Sequence, residues 1–282
     1  MSLADYARQH GLKRIGARPA LLDYIAEAWK RRDFAYTMSL YNSQAANARN
    51  RLGRWWVVLV PTITALVYGL IFGVLLGSSR PANYIPFLFT GVFLYSFIST
   101  TFGSGAGAVT GNLGLVRSLS FPRMLLPIQA TIQQIFALLP QLVLLLLTWV
   151  VFGMPITWNW LLLVPVVILM ILFSTGLALI SARLTVHIQD LTKLIPFLVR
   201  IVFYVSGIFF NMEKVLRNYP TALAIEKYNP IYIYVSLARA AGITGYTMTP
   251  FMWYAAVAWA FGTLAVGIVF FWKAEELYGR EE

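Results

Sequence analysis

Few residues in this sequence could do chemistry. Between Asp33 and Glu213 the one carboxylate is Asp190, although Asp, Glu and His are what ion-coupled transporters and water- or metal-activating membrane enzymes place inside the bilayer. The two histidines, His10 and His187, lie far apart and bring no ligand cluster. With no cysteine in the chain, disulfides, thiolate metal sites and cysteine nucleophiles are excluded together. Gly103, Gly107 and Gly111 recur every four residues, but a phosphate-cradling loop needs a lysine directly after its last glycine, and the next lysine is Lys193. The stripe therefore reads as a helix-packing surface, and no catalytic, cofactor-binding or metal site is expected in this chain. One cation, Arg200, sits inside an apolar segment. Either its head snorkels to the lipid headgroups, or its forked guanidinium is a pathway group that pairs with a passing phosphate; both readings stay open.

These residues belong to a chain of 282 residues that is 59% hydrophobic and only 12% charged, where a soluble domain carries about 25% charge. An ordinary cytosolic enzyme is excluded. Charge is missing from 55–79, 81–116, 124–182, 201–212 and 240–272. A helix needs roughly 20 residues to cross the hydrocarbon core, so 124–182 holds two spans that turn at Gly153, Pro155 and Asn159. The expected fold is an all-α integral membrane protein with six spans, about 55–77, 84–107, 125–152, 160–182, 194–210 and 251–272. A leader, 1–54, precedes them, and a tail, 273–282, follows. The segment 211–250, broken by Pro220, Pro230, Gly242 and Gly245, is expected to form short external helices that dip back into the membrane.

Six spans put both termini on one side. That side carries 16 of the 22 lysines and arginines and the other side five, which places the termini in the cytoplasm. The net charge of +11 has the same explanation, so no nucleic-acid partner is expected. No cleavable signal peptide is expected before the first span. Trp55, Trp56, Trp158, Trp160, Trp253 and Trp272 fall at expected membrane borders and read as an aromatic belt, although aromatic faces also stack on sugars.

Two segments outside the spans show helical periodicity. Leu22, Ile25, Trp29, Tyr36 and Leu40 form one apolar face of a helix over 21–40, which either lies on membrane lipids at the headgroup level or packs on a partner as a soluble helix. Between the second and third spans, Leu113, Val116 and Leu119 repeat every three residues with Phe121 following. They predict a short helix over 112–120, ended by Pro122, whose apolar edge can meet a cytoplasmic partner, with Arg117 and Arg123 as flanking charges.

Four stretches resemble the permease subunits of ABC-2 type exporters, in particular the O-antigen, teichoic acid and related polysaccharide exporters. They are Leu52-Gly53 with Trp56 and Pro61, Val116 to Arg123 with Pro127, Ser206 to Phe210, and Tyr228-Asn229-Pro230 with Arg239. The resemblance covers about 20–275, and Ser118 stands where many relatives carry a second basic residue. It implies a homodimer in the bacterial cytoplasmic membrane, paired with two copies of a separate ATPase that holds ATP and magnesium, so that this chain is no enzyme and carries no cofactor. It further implies a polyprenyl-linked glycan as cargo. The overall run of sequence is similar to mycobacterial exporters of lipid-linked galactan. On this reading Leu113, Val116, Arg117, Leu119, Phe121, Pro122 and Arg123 couple the permease to the ATPase. Two rivals remain, a small-molecule or drug permease of the same fold and a membrane enzyme of glycan-lipid metabolism.

Overall fold

Charge-free runs become long helices because an apolar segment in lipid must satisfy every backbone N–H and C=O within itself. The computed structural model of the chain describes residues 18–48, 53–77, 80–81, 83–276 and 278. His10, Leu52, Ser79 and the last four tail residues lie outside the described residues. Every regular element among the described residues is helical. The leader forms α1 (Leu21–Lys30) and α2 (Arg32–Ala48), and the long helices are α3 (Trp56–Leu76), α4 (Tyr84–Ala106), α6 (Leu125–Val151), α7 (Leu163–His187) and α12 (Pro250–Lys273). Between α4 and α6 lies the short α5 (Leu113–Ser118). After α7 come α8 (Leu191–Val205), α9 (Met212–Val215), α10 (Pro220–Lys227) and α11 (Pro230–Gly242). The protein is an all-α integral membrane protein. Five helices, α3, α4, α6, α7 with the turn before it, and α12, are long and apolar enough to cross a bilayer.

The expected span over 194–210 is the exception. α8 has 15 residues, or about 22 Å at 1.5 Å per residue against about 30 Å of hydrocarbon. It stops because Gly207 has φ of +65°, a left-handed conformation that glycine adopts without penalty. The freed carbonyls have a dedicated donor. Arg239 on α11 is buried and gives Nη1 to Gly207 O at 2.7 Å, Nη2 to Ile208 O at 2.9 Å and Nε to Phe87 O on α4 at 3.1 Å. The segment 211–250 forms short helices. Asn229 caps α11 by accepting from Ile231 N–H at 3.0 Å, and Pro230 fills the first helical position.

α7 and α12 cross in close backbone contact. A Cβ on Gly176 would collide with the backbone of Thr263, and one on Gly267 would lie 2.6 Å from Gly176 O, so only glycine permits this approach. The stripe Gly103, Gly107 and Gly111 packs on no other described helix of this chain. A Cβ at Gly103 or Gly111 would meet nothing within 4 Å, whereas Gly105, on another face of α4, would place its Cβ 2.6 Å from Ala178 on α7.

Buried apolar residues form two cores. One, around Phe93, Leu94, Trp149 and Phe173, fills the helix bundle. The other, around Tyr24, Val109, Leu126 and Phe271, lies at the end where leader and tail meet. The leader is two helices rather than one, because Arg31 leaves helical geometry (φ −98°, ψ 17°). Tyr24, Ala28, Ala35 and Ser39 face the protein, and Ser39 Oγ donates to Gln129 O at 2.8 Å.

Candidate functional site

α8 carries Arg200 between Pro196 and the break. The guanidinium is exposed to the surface of the chain and makes no hydrogen bond or ion pair with the described residues. It lines a cleft of about 320 Å³ between α3, α4 and α8, whose walls carry the hydroxyls of Thr64, Tyr68, Ser96 and Ser99 beside Val92 and Phe203. Thr64 Oγ1 donates to Val60 O at 2.8 Å and Ser99 Oγ to Ser96 O at 3.0 Å, so each keeps its oxygen lone pairs for a donor in the cleft. Tyr95, on the same wall, donates its hydroxyl to Val199 O and ties α4 to α8 beside Arg200. No carboxylate is among the described lining residues. Chemically, the cleft offers one planar cation able to take a phosphate on two N–H groups, together with oxygen acceptors for hydroxyl donors.

An aromatic wall continues the cleft. Tyr68 Oη lies 3.1 Å from Tyr204 Oη, and the Tyr68 ring packs on Phe203 and Phe209 at centroid separations of 5.5 and 4.9 Å. No spacing in the sequence marks this cluster, unlike the border tryptophans. Those are divided: Trp55 and Trp158 are exposed, Trp160 packs on Trp149 at 5.3 Å, and Trp272 Nε1 donates to Pro19 O at 2.9 Å.

The expected coupling segment is at the end where the termini meet, apart from Arg200. A 3-10 turn, Thr110–Asn112, leads into α5, and Pro122 follows its end. Only part of the expected edge faces outward. Leu113 and Leu119 are 37% and 53% exposed and Arg117 is exposed, but Val116 is buried in the second core. Pro122 is buried, and Phe121 packs on Phe34 of the leader at 5.3 Å. Arg123 is already partnered: its Nη1 lies 3.4 Å from Glu275 Oε1 and donates to Glu275 O at 2.9 Å. Val116 and Arg123 are thus corrected from partner contacts to internal ones, because this short helix spends one face on its own chain and the tail holds the arginine that follows it.

Glu275 is the functional-looking residue that sequence reasoning passed over. Its carboxylate accepts from Tyr24 Oη at 2.6 Å and from Arg123 N–H at 3.2 Å, while Tyr24 Oη accepts from Met124 N–H at 3.1 Å. Burial pushes the Glu275 carboxyl up, and Tyr24 and Arg123 oppose this by favouring its charged form. Arg31 adds a further tie from the leader, donating Nη1 to Ser120 O at 2.6 Å.

On the leader, Leu22, Ile25 and Trp29 are 79%, 36% and 69% exposed. Tyr36 is also exposed yet meets Phe136 edge-on at 5.8 Å, and Leu40 is half-buried. The apolar face of α1 thus points away from the protein. Among the described residues, no group of three His, Asp or Glu side chains could hold a metal ion.

The sequence profile of the ABC-2 type transporter family matches residues 37–243, from α2 to the residue after α11, and so takes in both the Arg200 cleft and α5. The chain belongs to the ABC-2 type transporter family. As an ABC-2 transporter subunit it is a transmembrane transport component, and ATP hydrolysis sits in a separate ATPase subunit. The chain is similar to the O-antigen export system permease protein RfbA of Myxococcus xanthus, 25% identical over 195 residues covering 69% of this chain and 75% of that protein. It is also similar to the polysialic acid transport protein KpsM of Escherichia coli, 27% identical over 202 residues covering 70% and 76%. A further relative, RfbA of Klebsiella pneumoniae, is 22% identical over 181 residues covering 64% and 68%. α1, α12 and Glu275 lie beyond the family match.

Proposed function

We propose that this chain is the permease of an ABC exporter that carries a lipid-linked polysaccharide, with galactan as the polymer, across the cytoplasmic membrane of a bacterium. Two copies of the chain form the pathway, two copies of the ATPase drive it, and both termini lie in the cytoplasm, the sixth crossing being completed by α8 together with the uncharged, non-helical stretch 206–210. The observation that carries this reading is the Arg200 cleft, where one guanidinium stands among hydroxyls with no carboxylate in the described lining. A polyhydroxylated chain joined to lipid through phosphate presents the complementary groups. The cleft opens beside α3, only 11% of whose most apolar window is buried within the chain, which leaves a face for a second copy to close the pathway. Relatives named for O-antigen and polysialic acid export favour a sugar polymer over a drug. Leu113, Arg117 and Leu119 receive the ATPase, and the apolar face of α1 rests on membrane lipid. The test is reconstitution of the permease with its ATPase in proteoliposomes loaded with lipid-linked galactan. Polymer should become accessible to added galactanase only with ATP. ATP-driven movement of a dye without any movement of polymer would replace this reading with the drug-permease one.

A further inference from the structure

A second, larger groove shares no lining residue with the Arg200 cleft. It holds about 750 Å³ between α3 and α4, floored by Ala65, Gly69 and Leu88 and running up to Arg80 at the end of the bundle opposite the termini. From Ala65 to Gly77 the groove descends about 18 Å at 1.5 Å per residue, close to the depth of one leaflet of a bilayer whose core is about 30 Å thick. Small residues make the room: a Cβ on Gly69 would lie 3.2 Å from Leu88 Cδ2.

The polar groups are gathered at its mouth. Arg80 is exposed, and its Nε donates to Gly77 O at 2.9 Å, which orients the guanidinium and leaves both Nη groups without a hydrogen bond to the described residues. Tyr84, on the groove wall, is 9% exposed, and its buried hydroxyl has no hydrogen-bond partner among the described residues. A buried hydroxyl without a partner costs free energy unless a ligand supplies one.

We propose that this groove binds one acidic membrane phospholipid, its acyl chain lying along Ala65, Gly69 and Leu88 and its phosphodiester held by the Arg80 guanidinium and the Tyr84 hydroxyl. One guanidinium matches the single charge of a phosphodiester headgroup, and competition with undecaprenyl pyrophosphate separates this lipid from the cargo. The site does not depend on which polymer is exported.

The test is native mass spectrometry of the full-length permease with its ATPase in detergent, titrated with phosphatidylglycerol, phosphatidylcholine or undecaprenyl pyrophosphate. Phosphatidylglycerol should bind best. Arg80→Ala should weaken it about tenfold by removing a charge-assisted contact, Tyr84→Phe about threefold by removing one hydroxyl bond, and Arg80→Lys by less than Arg80→Ala. Gly69→Leu should exclude the acyl chain without moving export of polymer. Equal phosphatidylglycerol binding by wild type, Arg80→Ala and Gly69→Leu would overturn the proposal. Tighter binding of undecaprenyl pyrophosphate, lost in Arg80→Ala, would instead give the groove to the cargo lipid. A Gly69→Leu variant that changes oligomeric state while binding phosphatidylglycerol normally would give it to a second copy.

Discussion

Arg123 and Glu275 meet at 3.4 Å across 152 residues of sequence, and the carboxylate also accepts from Tyr24 at 2.6 Å, so the α5–α6 loop, the tail and the leader share one buried charge. Removing a single partner strands the others. Glu275→Ala should destabilise the protein by about 3 kcal/mol, the usual cost of an uncompensated buried ion. Glu275→Gln, which still accepts from Tyr24, should cost less. Thermal unfolding in detergent measures both, and two variants as stable as wild type would show that the pair contributes nothing.

Coupling should depend on the residues of α5 and its end that face outward. Leu113→Asp with Leu119→Asp should leave the permease inserted, lower co-purification of the ATPase and abolish export, since an apolar interface anchor is worth about 1 to 2 kcal/mol or more. Val116→Asp should act differently, destabilising the permease itself because its side chain is buried. Co-purification and thermal unfolding, measured on the same samples, separate the two effects.

If Arg200 pairs with phosphate in the cleft, Arg200→Lys keeps the charge but loses the planar fork. Export at normal protein level should fall about tenfold, the usual scale for one charge-assisted pair. Wild-type export by the lysine variant would return Arg200 to snorkelling.

Glu226, 5% exposed on α10, is pushed up to about 7 by burial, with the Asn229 amide opposing. A carboxyl raised in the folded state holds its proton there while the unfolded chain has lost its own. Its stabilising contribution is therefore complete below about pH 4 and is lost as pH rises through about 7. Wild type should lose several degrees of Tm between about pH 5 and 8, and Glu226→Gln should lose less over the same range. Identical slopes for the two proteins would clear Glu226.

Because the chain has no cysteine, single substitutions report sidedness directly. Cysteines at Ser118 and Thr192, both exposed, should react with an impermeant maleimide only from the cytoplasm, and one at Thr221 only from outside. Outside labelling at Ser118 would invert the arrangement.

Five long helices are legible in sequence because a charge inside a span costs about 2.5 to 3.5 kcal/mol, which leaves long uncharged runs. α8 misleads for the same reason. Residues 201–212 are uncharged, yet the helix ends at Val205, and the group that donates to the carbonyls beyond its end, Arg239, comes from another element. Arg200 was legible as a lone cation, but the hydroxyls around it come from α3 and α4, helices that no local pattern pairs with α8. The apolar repeat of α5 identified a helix and misassigned Val116, since periodicity marks an apolar face without saying which neighbour covers it. Glu275 was invisible as a site because its partners, Tyr24 and Arg123, lie 251 and 152 residues away.

The Arg239 clamp also constrains movement. Sliding α8 along α4 by one turn, about 5.4 Å, would pull the Gly207 and Ile208 carbonyls away from Phe87 and break the bridge that a buried cation makes between them. α8 can instead tilt about that fastened end like a lever on a pivot. Its opposite end, at Leu191, is the free arm, and the exposed Asp190–Lys193 pair there offers little resistance. Displacement is then greatest at Leu191 and fades towards the clamp, so Arg200, part-way along the arm, travels less than Leu191 in any stroke.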